Sequence, residues 1–190
     1  QRFHPAHDEA HVIVGGVAFY QRREIKDLLA YLRLAANPRD AVSFERAIGA
    51  PPRGLGAVSL GRLLARGEAL DGDLARAAAE LPEGAGVRGA GLRAAREFGS
   101  LVLELAARAA EGAAPLLRTV VERTRYLDWL RDQGEPDWQD RQANVQELLA
   151  GAERFDHDSG GAGLQAWLDQ VALYTNLDTN RFGADRVTLM

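Results

Sequence analysis

The stretch QRREIKDLLAYLRLAA, residues 21–36, decides the fold class because its apolar residues recur with the period of an α-helix. Intervals of three and four place these residues on one helical face: Ile25, Leu28, Leu29, Leu32 and Ala36. Pro38 disfavours α geometry in the residue before it, so we expect this helix to end near Asn37.

Helical periodicity continues through most of the chain. It predicts further helices over approximately 42–48, 58–64, 74–81, 92–110, 115–130, 145–152 and 164–171. Two short stretches near the ends, residues 11–14 and 186–190, have the composition of β-strands. Residues 1–10 are polar and have no period, which indicates a leader or linker. The predicted fold class is mainly α, with two short terminal strands.

Composition limits the classes of function. The chain has 190 residues, of which 46% are apolar, and this suits one globular domain with a real core, or one domain that carries fragments of a neighbour. It contains no cysteine, which excludes a disulfide framework, a thiolate metal site and a cysteine nucleophile. No apolar run approaches the roughly 20 residues that span a bilayer, and the start has no signal-peptide pattern. We therefore expect a cytoplasmic protein with no membrane contact.

The position of the charges is more informative than their sum. The formal net charge of −4 argues against a uniformly basic surface for nucleic acid. Of the 23 basic residues only Lys26 is a lysine, which fits either phosphate recognition by arginine or a GC-rich genome. Residues 51–66 carry three arginines and no acidic residue, a local charge of +3. Residues 135–158 are rich in Asp and Glu, which indicates a solvated face or loop.

The stretch PPRGLGAVS, residues 51–59, is the most informative short motif. A Gly-Leu-Gly turn that opens a helix exposes unpaired backbone N–H groups at the positive end of the helix dipole. The glycines allow a phosphate to approach closely, Leu55 can anchor the turn in the core, and Arg53 and Arg62 add positive charge. Such a turn can hold a DNA backbone without reading bases. An ordinary glycine-rich connection between helices is the alternative.

A second glycine cluster, GAGVRG at residues 84–89, fits the pattern G-x-G-x-x-G. The dinucleotide fingerprint requires a preceding strand, and residues 81–83 do not have the composition of one. A turn before the next helix is therefore favoured. Arg88, Arg93 and Arg96 form a candidate second patch that faces phosphate.

Other chemical groupings are weak. His4, His7 and His11 have ligand-like spacing but no scaffold to fix it, so no metal site is predicted. The sequence has no Ser–His pair typical of nucleophilic catalysis and no P-loop, so no catalytic residues are predicted. The three tryptophans are candidates for the core or a groove, with base stacking as the alternative: Trp129, Trp138 and Trp167.

Three separated stretches resemble the UvrD/PcrA/Rep-type superfamily 1 DNA helicases. Residues 14–34 contain VGG, FYQRREIKD and AYLRL, which together resemble a specific signature of that family. Residues 43–59 contain SFER and PRGLG, similar to a family stretch ending in R-G-I-G, with Leu55 for isoleucine and Ser59 where threonine is common. The third stretch is NVQEL at 144–148 followed by VTLM at 187–190.

This resemblance implies a domain organisation. It covers residues 12–190 and suggests that residues 37–183 are a helical 2B-like domain inserted between 2A-like segments at 11–36 and 184–190. In the family, a helix-hairpin-helix-like turn holds the duplex backbone. That role falls on Gly54, Leu55, Gly56 and Ser59, with Arg53 nearby. Arg22 matches a family arginine on the 2A side, near the single-strand path.

The resemblance also implies a function. The family's motor subdomains hydrolyse ATP and move 3′ to 5′ along DNA, so ATP and Mg are expected in the full-length helicase and no cofactor in this segment. The expected role is a regulatory, duplex-binding 2B domain in DNA repair or replication, without ATPase activity alone. The implied partners are the double-stranded DNA backbone, the motor subdomains of the same helicase, and repair or transcription proteins. An autoinhibitory or protein–protein interaction module is the alternative.

Overall fold

The computed structural model describes the backbone of residues 17–183 and the side chains of residues 18–175. Within that range the chain forms ten α-helices and a 3-10 helix at Ala109–Glu111. The α-helices are α1 (Val17–Tyr20), α2 (Arg23–Ala36), α3 (Ala41–Gly49), α4 (Ala57–Glu68), α5 (Leu74–Ala79), α6 (Gly89–Ala107), α7 (Ala113–Arg123), α8 (Tyr126–Asp132), α9 (Trp138–Asp158) and α10 (Gly163–Gly183). The mainly α prediction is confirmed. The predicted leader and both predicted strands, at 1–10, 11–14 and 186–190, lie outside the described residues.

Helix α2 is the central element of the core. Ten of its 14 residues are buried, and the whole predicted apolar face points inward apart from the partly buried Ala36. The helix ends where Pro38 was expected to stop it, and the Asn37 N–H donates to the Arg33 carbonyl at 2.8 Å. Helix α6 packs against it through Phe98, whose ring lies edge-on to Tyr31 at 5.8 Å between centroids. The periodicity of residues 21–36 therefore predicted the centre of the fold correctly.

The predicted helix over 115–130 is wrong as a single helix. Helix α7 ends at Arg123, Arg125 adopts a left-handed conformation with φ 53°, and α8 starts at Tyr126. The break turns the Tyr126 side chain inward, where it is fully buried and its hydroxyl donates to Asp27. A tertiary hydrogen bond thus overrides a local pattern that would continue the helix.

The acidic stretch at 135–158 is mostly helix rather than loop. Helix α9 starts at Trp138, and many of its acidic residues lie on a solvated face, as expected. His157 is exposed and belongs to the last turn of this helix. Arg141 pairs with Glu135 and with Asp137, which ties the start of the helix to the preceding turn.

Candidate nucleic-acid interface

The Gly-Leu-Gly turn connects α3 to α4, and it opens a helix as the sequence predicted. Gly56 is the N-cap of α4, with extended backbone angles of φ −78° and ψ 173°. No side chain caps this end of the helix, and the first turn of α4 has no acidic residue. The first N–H groups of α4 therefore keep their capacity to bind an anion.

Both glycines of the turn face open space. Gly54 has a φ of +67°, a conformation that L side chains rarely adopt. A Cβ atom added at Gly54 or Gly56 would meet no heavy atom within 4 Å. Leu55, between them, packs against the hydrophobic core, which confirms its expected role as an anchor. The turn thus presents backbone to its surroundings while its one large side chain points inward.

Three other helix N-termini in the described part of the chain, those of α3, α5 and α7, are already satisfied by carboxylates. The side chains of Asp40 and Asp73 accept backbone N–H bonds at the starts of α3 and α5. Asp156, on α9, accepts from the N–H groups of Ala113 and Ala114 at the start of α7, at 3.0 and 2.8 Å. Helices α4 and α6 have neither a side-chain cap nor an acidic residue in the first turn. An external anion could therefore take the place at α4 and α6 that a carboxylate takes elsewhere.

Arg53 lies beneath the turn with its hydrogen bonds directed into the protein. Its Nη1 donates to the carbonyls of Ala47 and Ile48, both at 2.9 Å, and to that of Pro51 at 3.1 Å. Its Nη2 donates to the Tyr31 hydroxyl at 2.6 Å. The sequence predicted that Arg53 lies beside the DNA. In the structure its guanidinium donates instead to backbone and side-chain acceptors of the protein.

Ser59 and Arg62 lie on α4, downstream of the turn. Ser59 is half-buried in the first turn of the helix. Arg62 is exposed and donates to the carbonyl of Gly86, in the second glycine cluster. A Cβ at Gly91 would lie 3.4 Å from the Leu55 side chain, so the start of α6 also lies against the first turn. The two glycine-rich turns are therefore neighbours.

The second glycine cluster forms a turn before α6, as expected, and no strand precedes it within the described residues. Arg88 is the N-cap of α6, and Arg93 follows in its second turn. Both are exposed, and neither has an ion pair or side-chain hydrogen bond among the described residues. Arg96 differs, because its Nε donates to the Leu81 carbonyl at 2.7 Å. The structure thus places Arg62 and Arg88 at the second glycine turn, with Arg93 five residues further along on α6.

Arg22 is not part of this group. It precedes α2 and donates to the Asn144 side chain on α9, with its guanidinium 5.4 Å from the centre of the Phe19 ring. Tyr31, which contacts the turn through Arg53, lies nine residues further along, about 13 Å at 1.5 Å per helical residue. Arg22 therefore precedes α2, while the Gly-Leu-Gly turn lies beside the middle of that helix.

Sequence reasoning missed a buried polar cluster at the Arg22 end of α2. Asp27 is 3% exposed; it accepts from the Tyr126 hydroxyl and pairs with Arg46 Nε, both at 2.9 Å. Glu24 is 4% exposed and accepts from Asn144 Nδ2 at 2.6 Å. Burial raises the pKa of Asp27, and the hydrogen bond from Tyr126 and the charge of Arg46 oppose that rise. These contacts tie α2 to α3, α8 and α9.

A signal for this cluster was present in the sequence. Glu24 and Asp27 recur at intervals of three and four with Leu28 and Tyr31, so both carboxylates fall on the buried stripe of α2. Carboxylates are almost never fully buried unless they are paired. The spacing therefore predicts polar partners for them, although it does not say which residues these are.

The remaining candidates give no further chemistry at the turn. Within the described residues no group of His, Asp and Glu is arranged to hold a metal ion. Across the same range, no helix combines the length and apolar character that crossing a membrane requires. Trp167 is 4% exposed and lies in the core, where it lines a cavity of about 390 Å³ between α1, α9 and α10. Trp129 and Trp138 are half-buried.

Comparison with known proteins finds DNA helicases similar to this chain. Residues 8–74, which include the Gly-Leu-Gly turn, match the UvrD-like helicase C-terminal domain. The chain is 33% identical over 185 residues to the ATP-dependent DNA helicase PcrA of Bacillus subtilis, covering 94% of this chain and 25% of that protein. It is 31% identical over 182 residues to DNA helicase II of Escherichia coli, with the same coverage.

Over 94% of its length the chain is similar to UvrD/PcrA-type superfamily 1 DNA helicases, so the resemblance seen in the sequence is confirmed. It spans about a quarter of the length of these relatives.

Proposed function

We propose that this chain is the duplex-contacting 2B domain of an ATP-dependent 3′–5′ DNA helicase that acts in DNA repair or replication. Residues 37–183 form the 2B domain in this proposal, and the segments 11–36 and 184–190 belong to the 2A subdomain. ATP and Mg are bound by the motor subdomains of the full-length protein. One observation carries the proposal: the open N-terminus of α4 follows a turn whose two glycines leave open space, in a stretch that has three arginines and no carboxylate.

Contact with the duplex begins at the turn. A phosphate oxygen approaches over Gly54 and Gly56, where no Cβ blocks it, and accepts from the free N–H groups that open α4. The Ser59 hydroxyl, in the same helical turn, supplies another donor. Donors of this kind fix the protein on the backbone and carry no sequence information.

The neighbouring arginines extend the contact along the backbone. Arg62 bridges from α4 to the second glycine turn, while Arg88 and Arg93 project from the start of α6 without partners among the described residues. Neutralising about three phosphates would make log K fall with log salt at a slope near −3. The contact should therefore be weak at physiological salt and independent of sequence.

The start of α2 has a different role in the proposal. Arg22 faces the single-strand path on the 2A side, where Asn144 holds its guanidinium. In this proposal the motor subdomains set the orientation of the 2B domain, and that orientation gives the domain its regulatory role. Repair or transcription proteins are further partners. Helix α2 is one continuous 14-residue element that starts after Arg22 and carries Tyr31, which contacts the turn through Arg53.

The proposal is tested by titrating the chain into a fluorescent duplex and, separately, into an unrelated duplex of equal length, over a series of salt concentrations. Equal affinities for both duplexes and a slope near −3 are expected for contacts with about three phosphates. No response at low salt would contradict the proposal and favour a protein–protein interaction module. Strong preference for one sequence would contradict it as well.

A further inference from the structure

We infer that Arg53 is a positioning residue that fixes the Gly-Leu-Gly turn from the protein side and does not itself contact DNA. This inference rests on the proposed function of the turn, because it assigns a role within that site. It gives Arg53 a different role from Arg62, Arg88 and Arg93, although all four lie near the two turns and carry the same charge.

The first support is where the guanidinium donates. Ala47 and Ile48 lie in the last turn of α3, where carbonyls lack the partner four residues on; the Ala47 carbonyl also accepts from the Ala50 N–H at 3.3 Å. Arg53 donates to both and also to the carbonyl of Pro51, where the turn begins. One side chain thus joins the end of α3 to the turn. Its positive charge also lies at the negative end of the α3 dipole.

The second support is the aromatic pocket around the guanidinium. Its central carbon lies 4.8 Å from the centre of the Phe98 ring and 5.7 Å from that of Tyr31. The Tyr31 hydroxyl accepts from Arg53 and donates to the carbonyl of Ala50 at 2.7 Å. Burial raises the pKa of Tyr31, which keeps the hydroxyl protonated and able to donate. Arg53 thereby links the turn to α2 and α6.

The geometry requires the planar fork of arginine. Two separate nitrogens of Arg53 reach acceptors on different elements, while the flat group stacks on the rings. Lysine would keep the charge but place it on one rotatable ammonium group without a stacking plane. Replacing Arg53 by lysine therefore separates the loss of geometry from the loss of charge.

The test compares Arg53→Lys, Arg53→Met and the unchanged chain in two measurements. Without DNA, backbone ¹⁵N order parameters of Gly54, Leu55 and Gly56 should fall in Arg53→Lys from the rigid value of about 0.85 to below about 0.6. With duplex, Arg53→Lys should bind about tenfold more weakly, as expected for losing organising hydrogen bonds, with an unchanged salt slope. Full affinity in Arg53→Lys, with a slope reduced by about one in Arg53→Met, would show a direct phosphate contact and overturn the inference.

If Arg53→Lys does not fold, Tyr31→Phe provides a second test of the inference. This variant retains the ring and removes only the hydroxyl that joins Arg53 to Ala50. It should lower the same order parameters by a smaller amount. The inference would be overturned if Tyr31→Phe has unchanged order parameters and Arg53→Lys either has unchanged order parameters too or does not fold. Absence of duplex binding by the unchanged chain would overturn the proposed function alone, because the order parameters are measured without DNA.

Discussion

The Tyr126 hydroxyl donates to the Asp27 carboxylate at 2.9 Å, and both side chains are buried. The two residues are 99 positions apart, so this bond joins α8 to the central helix α2. Burial raises the pKa of Tyr126, which therefore stays protonated and acts as the donor. The bond explains both the break between α7 and α8 and the presence of a carboxylate in the core.

Tyr126→Phe should lower the free energy of unfolding more at neutral than at acid pH. The folded pKa of Asp27 is raised, so its contribution to stability is largest below its ordinary value of 3.8 and declines as pH rises through the folded pKa. Removing the hydroxyl raises that pKa further and deepens the decline. We expect a loss of about 2 kcal/mol at neutral pH and less near pH 4, measured by urea unfolding. Equal losses at both pH values would contradict this account of Asp27.

Asp156→Ala should remove the cap of α7. Its carboxylate accepts from two buried N–H groups, so the expected loss is about 1–2 kcal/mol in the free energy of unfolding. Glu153→Ala is a matched control on the same helix, because its ion pair with Arg118 is half-exposed and contributes about 0–1 kcal/mol. Equal effects of the two substitutions would show that the capping bonds contribute little.

Gly99→Ala and Gly61→Ala should have opposite effects. A Cβ at Gly99 would lie 2.6 Å from the Ala75 carbonyl oxygen, so α5 and α6 would have to separate, at a cost of about 1–3 kcal/mol or more. Gly61 lies in the interior of α4 with no atom within 4 Å of an added Cβ, so alanine should stabilise by about 0.5–1 kcal/mol. Thermal unfolding of both variants checks the sign. A neutral Gly99→Ala would mean that the two helices are not held at this distance.

Replacing Arg88 and Arg93 together by glutamine should weaken duplex binding equally for all sequences. The salt slope should fall by about one for each arginine replaced, because each guanidinium neutralises one phosphate. Arg131→Gln provides the control, since Arg131 is engaged with Asp128 and Asp132 on α8. If the double substitution leaves the slope unchanged, the second turn takes no part in binding.

Local patterns predicted the helices, and tertiary contacts explain the failures. The period of residues 21–36 located the core helix because burial of one face determines that pattern. The same periodicity predicted one helix that continues through Arg125, because no residue near it is typical of a helix end. The break there is explained by the bond from Tyr126 to Asp27, which is distant in sequence. The cap of α7 was hidden for the same reason, because Asp156 lies more than 40 residues from the N–H groups it satisfies.

In the candidate site, too, the local backbone geometry was predictable from the sequence and the tertiary contacts were not. The glycine spacing at 54–56 was enough to predict a turn that opens a helix, because only local backbone geometry is involved. The direction of Arg53 was not predictable, since its acceptors lie on α2, α3 and the turn and its aromatic neighbours on α2 and α6. A sequence gives the charge of an arginine, while the fold decides whether that charge faces solvent.

The central claim is that a duplex backbone binds over Gly56, and one pair of variants tests it directly. Gly56 has a φ of −78°, which L residues adopt readily, and open space around its Cβ position, so Gly56→Val should fold while placing a side chain in the path of the phosphate. Gly61→Val adds the same side chain to the same helix, about 140° around it at 3.6 residues per turn. Anisotropy titration with a duplex should show Gly56→Val at least about tenfold weaker and Gly61→Val nearly unchanged, with equal helical circular dichroism. Equal duplex affinities for the two variants would contradict the claim.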